Sequence, residues 1–408
     1  MSDLLWPGDH RAGDHLTDAS FLHATIAVEA AWLGALVDAG IAPGGARADL
    51  AGLVTDADAI ELARGAEASG NPVVPLVGLL RDRLGTSSPD AARWLHRGLT
   101  SQDVVDTALM LGARDAVGAV RRELRAQVQA LADLVESHRN TPMVARTLTQ
   151  HAVPTTFGLK AAQWLTGVLD AYDDVAALVF PVQVGGAAGT MAAAVELAGA
   201  AAEPVPTVTD LAVVVADRLG LTPSTPWHTT RTSVTRLGDA AVRCTDAWGG
   251  LANDVLTLSR PEIGELSEGA GGGSSTMPHK ANPALSVQVR RAALAAPALG
   301  STLHLAAAES VDERADGAWH TEWSTLRTLL RRTIVAGSQA SDLLAGLKVH
   351  TDRMATRLAD ARDDVRAEQR SMAELAGTSA TGDYLGAADA FLEAPLARAA
   401  GILAKETP

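Results

Sequence analysis

Within GGGSSTMPHKANP (271–283), two serine hydroxyls (Ser274 and Ser275), one cation (Lys280) and one neutral amide donor (Asn282) sit close together in a single stretch. Such a set suits the binding and stabilisation of negative charge. Glycine and proline are the two worst residues for a helix interior, so the stretch is a loop. Its glycines expose backbone N–H groups and permit movement, while Pro278 and Pro283 fix the way out. A flexible linker explains glycines and serines. It does not explain Met277-Pro278-His279-Lys280 followed by Asn282-Pro283.

Three further segments carry polar side chains at helix edges. In HRGLTSQDVVDTA (96–108), Thr100 and Ser101 precede a helix whose first turn holds Asp103. They serve either as a helix cap or, because a helix start also attracts anions, as a grip on a carboxylate. In ARTLTQHAVPTTFGLK (145–160), Arg146, Thr147, Gln150 and His151 lie just before Pro154, which is expected to open a helix. The third set is QVGGAAGT (183–190) with PWHTTR (226–231). Its glycines lack the Lys-Ser/Thr ending of a phosphate loop and are expected to serve close helix packing, and His228 has a plain account as a polar helix-start residue.

The rest of the chain must position these segments. Its 408 residues exceed what one hydrophobic core accommodates, so more than one domain is expected. Alanine, leucine and valine dominate while Phe and Tyr are scarce, which favours helix over sheet. Val117, Val120, Leu124, Val128, Leu131 and Val135 recur at spacings of three and four, one buried helical stripe. Further long helices are expected at 155–180, 206–219, 229–259, 284–309 and 321–346, and such a set packs as a bundle. The expected fold is all-α, with an N-terminal helical domain over 1–102, a central helix bundle over 103–346 and a C-terminal helical domain over 347–408.

A net charge of −14 argues against a nucleic-acid surface, which needs clustered Lys and Arg. Cys244 is the only cysteine, so no disulfide closes within the chain and a reducing compartment is expected. MSDLLWPGDH has neither a basic leader nor an apolar core, and no apolar run is expected to be long enough to span a bilayer. No membrane association is expected, and the cytoplasm is the expected location.

GSSTMPHKANP resembles the signature GSSxMPxKxNP of the fumarase/aspartase superfamily at every fixed position. LTSQDVVDTA and RTLTQHAVPTTFGLK resemble two further blocks of that superfamily. Within it, HRGLTSQDVVDTA, VGGAAGT, PWHTTR, ERADGAWHTEW (313–323) and DYLGAADAF (383–391) look like the bacterial 3-carboxy-cis,cis-muconate cycloisomerase family. Adenylosuccinate lyases carry RTHG where this chain has RTLT, so Leu148 stands at the position of their histidine. Leucine neither donates nor accepts a proton, which favours cyclisation over amine release.

The resemblance implies a homotetramer with a twenty-helix core and active sites shared between subunits. It implies a small polycarboxylate substrate, no cofactor and no metal. By position in the motif Ser274 corresponds to the family's base, and Lys280 and Asn282 are suited to stabilise the aci-carboxylate formed when a proton leaves the carbon beside a carboxylate. Thr100, Ser101, Thr147, Gln150, Ser275 and Met277 are candidate substrate contacts, with His96, Arg146, His151 and Arg314 as further ones. A fumarate-releasing lyase acting on a nitrogen-substituted succinate uses the same base and loop, with His151 as a possible proton source. A helical tetramer kept for structural purposes is the non-enzymatic alternative.

Overall fold

A computed structural model describes residues 3–269, 272–273, 276–277 and 279–405. Among the described residues the chain is predominantly helical, with two short antiparallel strand pairs. It divides into two compact units, each built from three stretches of sequence.

The first unit comprises residues 1–118, 178–239 and 298–331. It holds α1 (Asp18–Asp38), α2 (Ala59–Ser69), α3 (Val73–Leu84), α4 (Pro89–Trp94) and the start of α5 (Ser101–Ser137). The second unit comprises residues 119–177, 240–297 and 332–408. It takes the rest of α5, then β1 (Pro142–Thr147), β2 (Gln150–Thr156) and α6 (Phe157–Ala176). α7 (Ala192–Leu197) and α8 (Pro204–Leu219) belong to the first unit. α9 (Thr232–Leu258), α10 (Ala284–Ala308) and α11 (Gly317–Gly346) each have residues in both. β3 (Leu266–Ser267) pairs with β4 (Lys348–Val349), and α12 (Thr351–Asp360) heads the short helices that end the second unit.

α1 begins where the Thr17 side chain accepts from Ser20 N at 3.2 Å, a cap of the ordinary hydroxyl kind. It is long and apolar enough to cross a membrane, a property not anticipated from the sequence. Trp32, Leu33 and Leu36 on it are buried, as is Glu29, and α1 packs on α8 within the same unit. Those contacts describe a core helix. In α5 the whole stripe from Val117 to Val135 is buried, as its spacing requires.

One element differs from expectation. Pro154 does not open a helix: it lies in β2, paired with Val144, and α6 starts only at Phe157, capped by the Thr156 side chain accepting from Leu159 N at 3.1 Å. An edge strand tolerates proline because the missing N–H is not required there. The apolar periodicity of α6 is real but gave no warning of the hairpin before it.

Candidate active site

The start of α5 is fixed by one carboxylate. Asp103 is fully buried, and its Oδ2 accepts from Thr100 N at 2.9 Å, the return half of a capping box. The same carboxylate accepts from Gly185 N and Gly186 N, each at 2.9 Å. These glycines therefore do not serve helix packing: they present two backbone donors to a buried anion. A Cβ on Gly185 would lie 2.4 Å from His228 Cε1, so the backbone approaches this closely only with glycine there. His228 Nε2 in turn lies 3.2 Å from Asp103 Oδ1, within ion-pair distance though outside hydrogen-bond geometry. His228 is thus a buried neighbour of Asp103 rather than a simple helix-start residue.

Arg314 completes this edge. Its Nη1 donates to Thr100 Oγ1 at 2.8 Å, and its guanidinium stands 5.2 Å from the Trp319 ring centre. A hydroxyl pair, a helix start and a cation are assembled here, an arrangement suited to a carboxylate. His96, in a left-handed conformation at φ 63°, places Nδ1 2.6 Å from Glu29 Oε1. Glu29 is fully buried, so the imidazole is held by a carboxylate that water does not reach.

Behind α5 lies a second buried network. Arg231 Nη1 and Nη2 donate to Asp106 at 2.7 and 3.0 Å, and Nε donates to Glu322 at 3.0 Å. Trp319 Nε1 adds a donor to Asp106 at 2.9 Å. Burial by itself disfavours the charged guanidinium, but Asp106 and Glu322 outweigh it and hold the Arg231 pKa above its ordinary value. Burial pushes the Glu322 carboxyl up, opposed by Arg231. None of these four residues was singled out from the sequence.

In the second unit, β1 and β2 form a hairpin whose two central residues, Leu148 and Thr149, both have positive φ (49° and 71°). A two-residue turn of this kind normally takes Asn and Gly, so a leucine and a β-branched residue are strained there. Leu148 is 96% exposed at the tip. Thr147 pairs with Gln150 and therefore shares a face with it, while Arg146 pairs with His151 and shares the other. The Arg146 guanidinium grips buried Glu265 in bidentate fashion, at 2.8 and 2.9 Å.

The glycine-rich loop is pinned at its base. Gly272 N donates to Asn282 O at 2.7 Å, and Asn282 N donates to Gly272 O at 2.8 Å. Glu268 accepts from Ser286 N at 2.7 Å and from Leu285 N at 3.1 Å, so its carboxylate satisfies the free N–H groups at the start of α10. Between these anchors Lys280 N donates to Met277 O at 3.0 Å in a turn. Ser274 and Ser275 lie outside the described residues.

The candidates thus fall into separate groups. His96, Thr100, Ser101 and Arg314 belong to the first unit; Arg146, Thr147, Gln150, His151, Met277, Lys280 and Asn282 belong to the second. Asp106, Arg231, Glu268 and Glu322 are positioning residues that sequence reasoning missed, and Asp103 and His228 were named there without their positioning roles. Only Asp103, three residues after Thr100, carried a local signal, the spacing of a capping box. Among the described residues no cluster of His, Cys, Asp and Glu is arranged to hold a metal ion.

Known proteins resemble this chain in sequence and in fold. The lyase family profile matches residues 50–296. The nitrosuccinate lyase of Streptomyces davaonensis is 43% identical over 352 residues, covering 84% of this chain and 73% of that protein. The 3-carboxy-cis,cis-muconate cycloisomerase of Bradyrhizobium diazoefficiens is 37% identical over 355 residues, covering 84% of this chain and 74% of that one. The crystal structure of the 3-carboxy-cis,cis-muconate lactonizing enzyme from Pseudomonas putida superposes with a TM-score of 0.82 at 29% identity, over 96% of this chain and 97% of that one. The chain is an enzyme of the lyase and isomerase class, and it belongs to the lyase family of the fumarase/aspartase superfamily.

Proposed function

We propose that the chain is a cycloisomerase that interconverts 3-carboxy-cis,cis-muconate and a carboxymuconolactone, a step of aromatic catabolism in the β-ketoadipate pathway. The observation that carries this is Leu148 at the hairpin tip, 96% exposed, between Thr147 and Gln150. A site closed by that tip gains no proton donor from it. That favours a leaving group that departs as a stable anion, and a carboxylate, with a pKa near 4, does so without help. An amine does not.

In the lactone-opening direction Ser274 takes the proton from the carbon beside a carboxylate, the C–O bond of the lactone breaks, and its electron pair stays on the departing carboxylate oxygen. In the forward direction the carboxylate oxygen adds to the double bond and Ser274 returns the proton to the neighbouring carbon. Lys280, Asn282 and the N–H groups of the glycine loop stabilise the doubly charged aci-carboxylate between these steps. Closure of the loop excludes water and lowers the cost of an alkoxide on Ser274. Ser275 and Met277 line the same loop. A tricarboxylate carries about three charges at neutral pH, and Thr100, Ser101 and Arg314 with Thr147 and Gln150 provide separate anchors for them.

These groups lie on three separate stretches of sequence, near 100, 150 and 280. The resemblance to the fumarase/aspartase superfamily implies a homotetramer with a twenty-helix core, three domains per subunit bounded near 102 and 346, and sites shared between subunits, which would bring these stretches together. The reaction calls for no cofactor, and the cytoplasm is the proposed location.

A second reading is favoured by the 43% identical relative, which is a nitrosuccinate lyase. A nitro group also departs as a stable anion, nitrite, so elimination from a nitro-substituted succinate to give fumarate meets the same constraint at Leu148. Purified protein supplied with 3-carboxy-cis,cis-muconate, nitrosuccinate and amino-substituted succinates separates the two. Loss of diene absorbance with the muconate alone supports the cycloisomerase. Fumarate from nitrosuccinate with the muconate unchanged supports the lyase, and turnover only of an amino-substituted succinate overturns both.

A further inference from the structure

We infer that the reverse face of the β1–β2 hairpin forms a second, non-catalytic binding site for a small multivalent oxyanion, a polycarboxylate or phosphate. The pairing of Arg146 with His151 turns both away from the Thr147 and Gln150 face. Beneath them is a cavity of about 590 Å³, within the size range of small-ligand sites. Arg146 and His151 line it together with Lys160 of α6, Arg260 just past α9 and Arg357 of α12.

The charges in this cavity are unbalanced. Its lining holds four cationic side chains against the carboxylates of Asp254 and Glu262. Asp254 is already engaged, accepting from Lys160 Nζ at 3.1 Å and from Trp164 Nε1 at 2.8 Å. Arg146 is matched by Glu265. Arg357 donates to the Glu262 backbone carbonyl, which leaves its charge unneutralised by that bond. The Arg260 side chain has no hydrogen-bond or ion-pair partner among the described residues, and neither has the His151 ring. With Arg146 and Lys160 each matched by a carboxylate, the guanidinium groups of Arg260 and Arg357 remain without one at the lining of this cavity and favour an anion there. Arginine forks match carboxylate and phosphate oxygens, which sets the ligand class. Because the strained turn joins the two faces, an anion bound here also steadies the backbone that carries Thr147 and Gln150.

The test is calorimetric titration of the full chain with inorganic phosphate and, separately, with tricarballylate, against chloride at matched ionic strength. Binding of either anion beyond chloride, weakened at least about tenfold by Arg260→Glu and less by Arg260→Gln, supports the site; the anion more sensitive to Arg260 identifies the source. The Lys280→Ala variant retains this binding, since Lys280 belongs to the loop and not to the cavity, so the result does not depend on the proposed reaction. Anion binding that survives Arg260→Glu but vanishes in Lys280→Ala assigns it to the catalytic groups and overturns the inference. So does the absence of any binding beyond chloride. Far-UV circular dichroism of each variant separates lost binding from lost fold.

Discussion

The guanidinium of Arg314 donates from Nη1 to Thr100 Oγ1 at 2.8 Å, so a cation ahead of α11 is fixed against the first turn of α5. The bond occupies a lone pair of the hydroxyl and leaves its O–H free to donate to a substrate oxygen. Arg314→Ala is expected to lower kcat/KM by about 10- to 100-fold, the range for a lost hydrogen bond to a charged group. Arg314→Lys recovers only part of it, because an ammonium does not reproduce the planar fork stacked on Trp319. Steady-state kinetics with the proposed substrate decides this; an alanine variant equal to the wild type removes Arg314 from the site.

Arg231 neutralises two buried carboxylates, Asp106 and Glu322, behind the same helix. Arg231→Met leaves both without a counter-charge, and breaking a buried pair in this way costs about 3 to 5 kcal/mol. Urea unfolding followed by circular dichroism measures the cost. A loss below about 1 kcal/mol means that water reaches these carboxylates.

The α5 stripe, the long helices and the loop that interrupts them were legible because each rests on local periodicity or on local glycine and proline. The positioning residues were not. Asp103 meets Gly185 and Gly186 across 82 and 83 positions, and Arg231 meets Glu322 across 91, separations at which the sequence carries no periodic signal. The hairpin was hidden for a different reason. Its turn uses Leu148 and Thr149 where turn chemistry favours Asn and Gly, so the usual marker is absent. The loop signature drew attention to Lys280 and Asn282, whose roles are proposals, yet Glu268, which holds the exit of that loop, had no marker beyond being an acid before glycines.

Strain at that turn is open to measurement. Replacing Leu148 by Asn and Thr149 by Gly supplies the residues that adopt positive φ readily. The double variant is expected to be more stable by up to about 1 kcal/mol and to melt at a higher temperature. A melting temperature equal to or below that of the wild type shows that the tip's apolar and hydroxyl groups contribute more than the strain costs.

Burial pulls the His138 ring below its ordinary pKa, and the ring packs edge-on to Phe157 with centres 5.2 Å apart. The folded state therefore binds this proton less readily than the unfolded state. Stability from His138 is fully present above about pH 6.5 and declines as pH falls from there through the depressed folded value. His138→Gln is expected to flatten that part of the stability curve relative to the wild type. Urea midpoints from pH 5 to 8 that fall equally in both proteins on the acid side contradict this.

The central claim is that Ser274 exchanges the proton in turnover. Its most direct test is the kcat of Ser274→Ala on 3-carboxy-cis,cis-muconate, read as loss of diene absorbance, with circular dichroism and oligomeric state recorded on the same sample. A fall of about a thousandfold or more, with fold and assembly unchanged, is the predicted result for removal of an essential acid/base. A kcat within a few fold of the wild type contradicts the account.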